Sequence, residues 1–391
     1  MMFPISIKSL RIIGYSGAFV VLGASMASLG PSLPYLAENL QFTVTSLGYL
    51  FSTRSLGYLL GSLFVGRLFD RFSGHRLMAV MLLLAAFGMV VIPLAQYVYL
   101  LALMLFVVGV GLGVTDVGAN TLTAWTYGRR SGAYINTLFF FGGVGSIISP
   151  LIVSYILNSG LDIRWAYWVI ALMILPPILW LVRLPSPLPS REDKNHDDSR
   201  MNYPLLAIFG VLFFLYIGLE VSYGGWIFTF ITEGDLGSVS QASLVTSAFY
   251  FAITFGRLIA IPVNVRYQQT AIVSACLVGA LISLGAILYW HASLLALGVG
   301  TLGLGLSIAS IFPSTFAFAG KTMCLSGKIT GLFWACGSAG AIFTPWFLGQ
   351  LIGRINPVAM LVTLFIYICM ALIVFVGLIQ YTKRHPRLSE N

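Results

Sequence analysis

Charged side chains are scarce in this sequence. Only 8% of its 391 residues are Asp, Glu, Lys or Arg, whereas about 25% is usual for a soluble domain. The hydrophobic fraction is correspondingly high, at 58%. This composition excludes an ordinary solvated surface and predicts a chain that lies in a lipid bilayer.

Cysteine and histidine are also rare. The four cysteines stand singly, so neither a CxxC metal site nor a disulfide framework is predicted: Cys276, Cys324, Cys336 and Cys369. The four histidines fall in loops or at the ends of apolar runs: His75, His196, His291 and His385. We therefore expect no enzyme activity, no catalytic residue, no structural metal and no cofactor beyond a coupling Na+ or H+.

Long apolar runs, by contrast, fill almost the whole chain. Each covers a hydrocarbon core of about 30 Å at about 1.5 Å per helical residue. The runs are continuous and not alternating, which predicts helices and excludes the strands of a membrane β-barrel. Twelve spans are predicted, at 12–36, 45–68, 77–96, 98–125, 132–157, 164–183, 203–231, 241–263, 269–289, 292–319, 328–351 and 357–381.

The formal net charge of +9 comes from an excess of basic residues. With the N-terminus in the cytoplasm, 17 of the 21 Lys and Arg residues fall on the cytoplasmic side, the exceptions being Arg54, Arg164, Arg257 and Arg354. This pattern follows the positive-inside rule, so no nucleic-acid partner is needed to explain it. We expect a monomeric integral protein of a plasma or inner membrane, with both termini cytoplasmic.

A hydrophilic stretch, PSPLPSREDKNHDDSRMN at 185–202, divides the chain after the sixth run. It predicts a cytoplasmic linker between an N-terminal half, 1–184, and a C-terminal half, 203–391. The halves share residues at a constant separation of 195: Gly23/Gly218, Gly61/Gly256, Arg71/Arg266, Gly142/Gly337, Gly145/Gly340 and Pro150/Pro345. An offset that also carries Pro and Arg indicates a duplication into two pseudo-symmetric six-helix bundles.

Six spans followed by six in parallel repeats resemble the organisation of the major facilitator transporters. The loop GRLFDRFSGHR is also similar to the GxxxDRxGRR signature of that superfamily, with one extra residue before Gly74. The resemblance implies an all-α membrane protein with the major facilitator fold, whose halves rock around a site near the midplane. It gives a gating role at the cytoplasmic side, and no substrate contact, to Gly66, Asp70, Arg71 and Arg76.

Two of the twelve acidic residues, Asp116 and Glu220, lie inside predicted spans. An ionisable group at that depth costs about 2.5–3.5 kcal/mol on insertion scales, so each is a candidate functional residue. The alternative is a neutral acid that forms a hydrogen bond between helices. Asp116 and Asn120 stand at i and i+4, with Thr123 near the same face. These oxygens suit Na+ or sugar hydroxyls. Binding of a proton by the Asp116 carboxylate is an equal alternative.

Span 7 contains GLEVSYGGWIFTF, in which Tyr223 and Trp226 follow Glu220. Aromatic rings beside a carboxylate are typical of sugar sites, because the C–H face of the sugar packs on the ring and its hydroxyls bind the acid. The pair Gly224 and Gly225 predicts local unwinding, which membrane helices tolerate where backbone lines a cavity. For Trp226 an aromatic belt at the interface is an equal alternative.

Four further residues complete the candidate set. Arg54 and Arg257 are cations inside spans, and along straight helices Arg54 lies level with Glu220 and Arg257 level with Asp116. Both are candidate counter-ions, and Arg54 could instead clamp an anionic substrate. Asn136 and Trp334 are candidate substrate contacts, although interhelical hydrogen bonding explains Asn136 equally well.

The stretches GVTDVGANTLTAW and EVSYGGWIFTF, with the SG...G..G.I..P pattern of spans 5 and 11, resemble the sodium-dependent glucose transporter branch of the superfamily, a relative of the fucose–proton symporters. The resemblance implies cation-coupled hexose uptake with Asp116 in the coupling step. It also carries over Asn120, Glu220, Tyr223 and Trp226 as site residues. The fucose symporters use an acid in the first helix, whereas span 1 here has none, so their proton relay is not carried over.

The sequence thus predicts a secondary active transporter that imports a monosaccharide with Na+ or H+ by alternating access. A proton-coupled exporter of amphipathic compounds or lipids is the alternative within transport. A sensor would need a soluble output domain, for which the 18-residue linker is too short.

Overall fold

The computed structural model describes residues 6–69, 71–128, 131–187, 202–323 and 327–384. These residues form thirteen α-helices: α1 Ile7–Leu40, α2 Tyr49–Phe69, α3 Gly74–Val91, α4 Val98–Tyr127, α5 Ser131–Asn158, α6 Arg164–Val182, α7 Tyr203–Glu233, α8 Val239–Arg266, α9 Gln269–Tyr289, α10 Leu294–Ile308, α11 Ile311–Thr322, α12 Gly327–Arg354 and α13 Val358–Arg384. Short 3-10 turns precede α2 and follow α3, at Val44–Gly48 and Ile92–Leu94. The part of the chain that is described contains no β-strand, which confirms the predicted all-α class.

Eleven helical segments in the described ranges are long and apolar enough to cross a bilayer, with α10 and α11 together forming one of them. The predicted second span, α2, is not among the eleven. It has the length, at 21 residues, but it carries Arg54 and a series of Ser, Tyr and Gly residues that lower its mean hydropathy. With these eleven segments the chain is an integral membrane protein. The position of α2 depends more on packing against neighbouring helices than on contact with lipid.

The chain divides into two compact units, Met1–Glu192 and Asp193–Asn391. Most of the predicted linker, 188–201, lies outside the described residues. In the first unit α1 packs on α5, α2 on α4, and α3 on α6. In the second unit α7 packs on α12, α8 on α10, and α9 on α13. The same three helix pairs therefore recur in each unit, as a duplicated sequence requires.

Glycines separated by 195 residues make these helix contacts close. In the first unit Gly145 of α5 lies directly against the Val20 carbonyl of α1. In the second unit Gly340 of α12 lies against the Phe214 carbonyl of α7 in the same way. A side chain at either glycine would meet backbone, so the repeated glycines mark where membrane helices approach most closely.

The tenth span differs from the prediction of one helix over 292–319. The helix breaks between Ile308 and Ile311, which separates α10 from α11. Pro313, in the first turn of α11, explains the break, because proline has no N–H and its ring clashes with the carbonyl four residues earlier. At the separation of 195 residues, Gly118 of α4 corresponds to Pro313, and α4 is continuous there.

His75 lies at the end of an apolar run, as expected, but it is buried. It lies in the first turn of α3 and is 2% exposed. One ring nitrogen, Nδ1, is 2.9 Å from the Leu184 carbonyl, and Nε2 is 2.7 Å from the Tyr15 hydroxyl. Arg11 donates to the neighbouring Pro185 carbonyl at 2.7 and 3.1 Å. His75 of α3 and Arg11 of α1 therefore hold the segment that follows α6, at Leu184 and Pro185, in place.

Candidate functional site

Close packing of α2 on α4 builds the surroundings of Asp116. Gly109 of α4 lies against the Arg54 carbonyl, and Gly113, one turn later, lies against the Tyr58 carbonyl. Gly57 and Gly61 of α2 meet α4 backbone from the opposite side. Four glycines on two facing helices let the backbones touch, as small residues do in membrane helix pairs. This contact brings the Tyr58 side chain within reach of the acid on α4.

Both carboxylate oxygens of Asp116 accept hydrogen bonds. The Tyr58 hydroxyl donates to Oδ2, and the Asn120 amide donates to Oδ1 at 2.9 Å. The same amide nitrogen is 3.0 Å from the Asp116 carbonyl. Asp116 is 7% exposed. A hydroxyl group and an amide group therefore hold the two carboxyl oxygens of Asp116 from two sides.

Two buried oxygens extend this cluster along α4. Asn120 Oδ1 and Thr123 Oγ1 have no hydrogen-bond partner among the described residues. Buried polar atoms are normally paired, so each such oxygen calls for a water, an ion or a ligand group. With the carboxylate they form an oxygen set at i, i+4 and i+7, the chemistry that a hard cation prefers. The cluster Tyr58–Asp116–Asn120–Thr123 is the candidate cation site.

We expect Tyr58→Phe to destabilise the protein by about 1–3 kcal/mol, because the change leaves an oxygen of the buried Asp116 carboxylate without its donor. The measurement is thermal unfolding of the purified protein in detergent. Tyr155→Phe is the matched control, since Tyr155 is 73% exposed and its loss should leave the midpoint unchanged. Equal midpoints for the two variants would contradict the Tyr58–Asp116 bond.

The second unit contains its own charged cluster, on α7 and α8. Arg257 Nη2 lies 3.3 Å from Glu220 Oε1, and the two side chains keep 35% and 23% of their surface exposed. Tyr216, one turn before Glu220, lies near both charges. Its hydroxyl is buried and forms no well-aligned hydrogen bond among the described residues. Glu220, Arg257 and Tyr216 therefore present an acceptor, a donor and a buried hydroxyl together.

Depth along straight helices places Arg257 level with Asp116 and Arg54 level with Glu220, but in the structure Arg257 pairs with Glu220. The arginine side chain is long enough to carry its charge several ångströms from its backbone, so backbone depth alone does not fix the partner. Arg54 of α2 instead donates to the Met26 carbonyl at 2.7 Å and lies over the Phe51 ring at 5.8 Å. It is 5% exposed, and its visible contacts tie α2 to α1.

Tyr223 and Trp226 are fully buried within the second unit. The Tyr223 hydroxyl is 2.6 Å from Thr301 Oγ1, and its ring packs on Phe249 at 4.9 Å between centroids. Trp226 Nε1 donates to the Pro345 carbonyl at 3.1 Å. Both rings have 0% exposure, so in this structure they support helix packing. The predicted unwinding at the Gly224-Gly225 pair is absent, because α7 continues unbroken to Glu233.

The remaining candidates lie at more open positions. Asn136 of α5 is exposed, and Trp334 of α12 is 38% exposed with its ring 5.1 Å from that of Phe312. Arg71, in the loop after α2, and Arg76, in the first turn of α3, are exposed, and Gly66 of α2 faces open space. Asp70 lies outside the described residues. Substrate contact and gating by these residues stay predictions.

Sequence reasoning missed Tyr58 and Tyr216. Each is a tyrosine inside an apolar helix, and each stands one turn from a charge, Tyr58 after Arg54 and Tyr216 before Glu220. That spacing was a usable signal for Tyr216, which shares a face with Glu220. No local signal joins Tyr58 to Asp116, because 58 residues separate them and the helix pairing decides the contact.

Comparisons with known proteins agree with this architecture. The family described as Major Facilitator Superfamily matches residues 15–345. The chain is 26% identical to sodium-dependent glucose transporter 1A of Mus musculus over 93% of each chain. Its fold resembles the crystal structure of a D-xylose-proton symporter, with a TM-score of 0.80 at 15% identity over 95% of this chain and 97% of that one. The nucleoside transporter NupG gives a TM-score of 0.78 at 16% identity over 95% and 100%.

Proposed function

Because the chain belongs to the Major Facilitator Superfamily and is a membrane transporter, we propose that it carries a monosaccharide, a hexose, together with Na+ or H+. Transport proceeds by alternating access of the two halves. We further propose that uptake is inward, that the protein acts as a monomer in a plasma or inner membrane, and that both termini are cytoplasmic. The linker at 185–202 then joins halves 1–184 and 203–391.

The observation that carries the proposal is the Asp116 cluster. An acid at membrane depth costs free energy, and here it is held with both oxygens engaged beside two buried, unpaired oxygens. That arrangement is explained better by reversible binding of a cation than by a permanent structural hydrogen bond. The name of the mouse relative contains both sodium and glucose, which supports Na+ as the ion and a hexose as the cargo.

Roles follow for the individual side chains. Asp116 and Asn120 bind the coupling cation, and Asn120 can turn its amide to a sugar hydroxyl. Glu220, with Arg257 as its counter-ion, binds hydroxyls of the sugar, while Asn136 and Trp334 contribute from α5 and α12. Tyr223 and Trp226 hold α7 in place and reach sugar only in a state that exposes them. Gating involves Gly66, Asp70, Arg71 and Arg76. Arg54 holds α1 against α2.

The test is uptake of radiolabelled hexoses into proteoliposomes that contain the purified protein. A Na+ gradient is imposed at equal pH, and a pH gradient is imposed separately without Na+. We expect glucose or a close stereoisomer to accumulate above the level of protein-free liposomes under one of the two gradients. If no hexose accumulates under either gradient, monosaccharide symport is wrong, and the export of amphipathic compounds becomes the reading to test.

A further inference from the structure

We propose that the ion pair between Glu220 and Arg257 selects the charge of the substrate, so that the unmodified protein accepts neutral sugars and rejects anionic and cationic ones. The inference rests on the proposed function, because it concerns the sugar that this transporter carries. It goes further by assigning charge selectivity to one pair of residues in the second unit. Arg257 thereby becomes a specificity residue and not merely a counter-ion.

The geometry places the pair where a solute can reach it. Both charges keep part of their surface exposed, yet they lie on two helices that are each long and apolar enough to span a bilayer. A charge open to hydrocarbon is costly, so the exposed surface faces water or a polar solute. The bond between Arg257 Nη2 and Glu220 Oε1, at 3.3 Å, is longer than the best charge-assisted bonds, at about 2.7–2.9 Å. A loose, accessible pair can accept a third partner.

Tyr216 supplies an independent sign of a ligand. Its hydroxyl is buried, lies beside both charged groups and forms no well-aligned hydrogen bond within the described part of the chain. Such a group costs about 1–3 kcal/mol if it stays unpaired. Sugar hydroxyls both donate and accept, so a diol can bind the carboxylate, accept from the guanidinium and pair with the phenol at once.

Charge balance gives the selectivity. Glu220 and Arg257 together carry no net charge, and a neutral sugar leaves that balance unchanged. A uronate would bring a second negative charge beside Glu220, and an amino sugar a second positive charge beside Arg257. Like charges at close range in a site of low dielectric repel strongly. Removing one member of the pair leaves the other uncompensated, and a substrate of opposite charge then restores neutrality.

The experiment measures binding of glucose, glucuronate and glucosamine by ligand-induced thermal shift of the full chain in detergent. We expect the unmodified protein to prefer glucose. Glu220→Gln should raise the affinity for glucuronate relative to glucose by about tenfold or more, since each tenfold step corresponds to about 1.4 kcal/mol. Arg257→Gln should raise the relative affinity for glucosamine by a similar factor. Combining the two changes should restore the preference for the neutral sugar.

Two controls separate charge from folding. Glu220→Asp keeps the negative charge and should keep the preference for glucose. The pair Arg164–Asp162, at 3.0 Å, lies at the start of α6, with Asp162 in the preceding loop, so Asp162→Asn breaks an ion pair at the end of a span and should leave the preference unchanged. If the unmodified protein binds glucose and the single variants keep its charge preference, the inference is overturned while sugar binding stands. If the unmodified protein binds none of the three sugars, both proposals fail together.

Discussion

Replacing Asp116 with asparagine should reduce gradient-driven hexose uptake by about a hundredfold. The change keeps the size of the side chain but removes the negative charge that would attract the coupling cation. Hydrogen bonds and ion contacts to a charged group contribute about 1.5–3 kcal/mol, and about 2.8 kcal/mol corresponds to a hundredfold loss of affinity. Exchange of labelled for unlabelled sugar at equal ion concentrations should survive, because it does not require the cation to be released.

Asp162→Asn is the matched control for that result. Asp162 lies between α5 and α6, partly exposed, and the Arg164 backbone N–H that it accepts at 2.8 Å holds the pKa of this carboxyl below its usual value. The control therefore removes one negative charge outside the spans, and uptake should be unchanged. If Asp116→Asn transports under a gradient as well as Asp162→Asn does, Asp116 is not the coupling residue and its bonds to Tyr58 and Asn120 are structural.

Most of the fold was accessible from the sequence because the bilayer restricts the choices so strongly. Apolar length alone predicts the spans, and the separation of 195 residues predicts which helices correspond. The exceptions have local causes. Arg54 and its polar neighbours lower the hydropathy of α2, and Pro313 divides the tenth span into two helices. The burial of His75 could not be predicted, because a histidine at a helix start has the same local pattern whether it is exposed or buried.

The candidate site was only half accessible from the sequence. Asp116 and Glu220 stand out because a charge is rare at that depth, and Asn120 follows from the helical repeat. Their partners depend on which helices pack together and at what rotation. Tyr58 reaches Asp116 from α2, and Arg257 reaches Glu220 from α8, and neither contact is encoded in local spacing. In this structure Tyr223 and Trp226 of α7 pack between helices, so their contact with a sugar stays a prediction.

Gly113→Ala should destabilise the protein by about 1–3 kcal/mol and abolish uptake with it. A methyl group at this position would collide with the Tyr58 carbonyl oxygen and lie 2.9 Å from its carbon and 3.0 Å from the Tyr58 Cα. All three atoms are backbone, so no side chain can rotate away, and α2 must move off α4. Since Tyr58 bonds Asp116, the displacement would also separate the donor from the carboxylate.

Gly377→Ala tests whether that effect comes from close approach or from losing a glycine in a helix. Gly377 lies within α13, and an added methyl group there would meet nothing outside its own helix within 4 Å. Alanine there should be neutral or stabilising by about 0.5–1 kcal/mol, because it loses less conformational entropy than glycine on folding. Thermal unfolding in detergent and uptake into proteoliposomes should therefore diverge for the two variants. Should Gly113→Ala melt and transport like Gly377→Ala, the backbone contact between α2 and α4 cannot be what positions Tyr58 against Asp116.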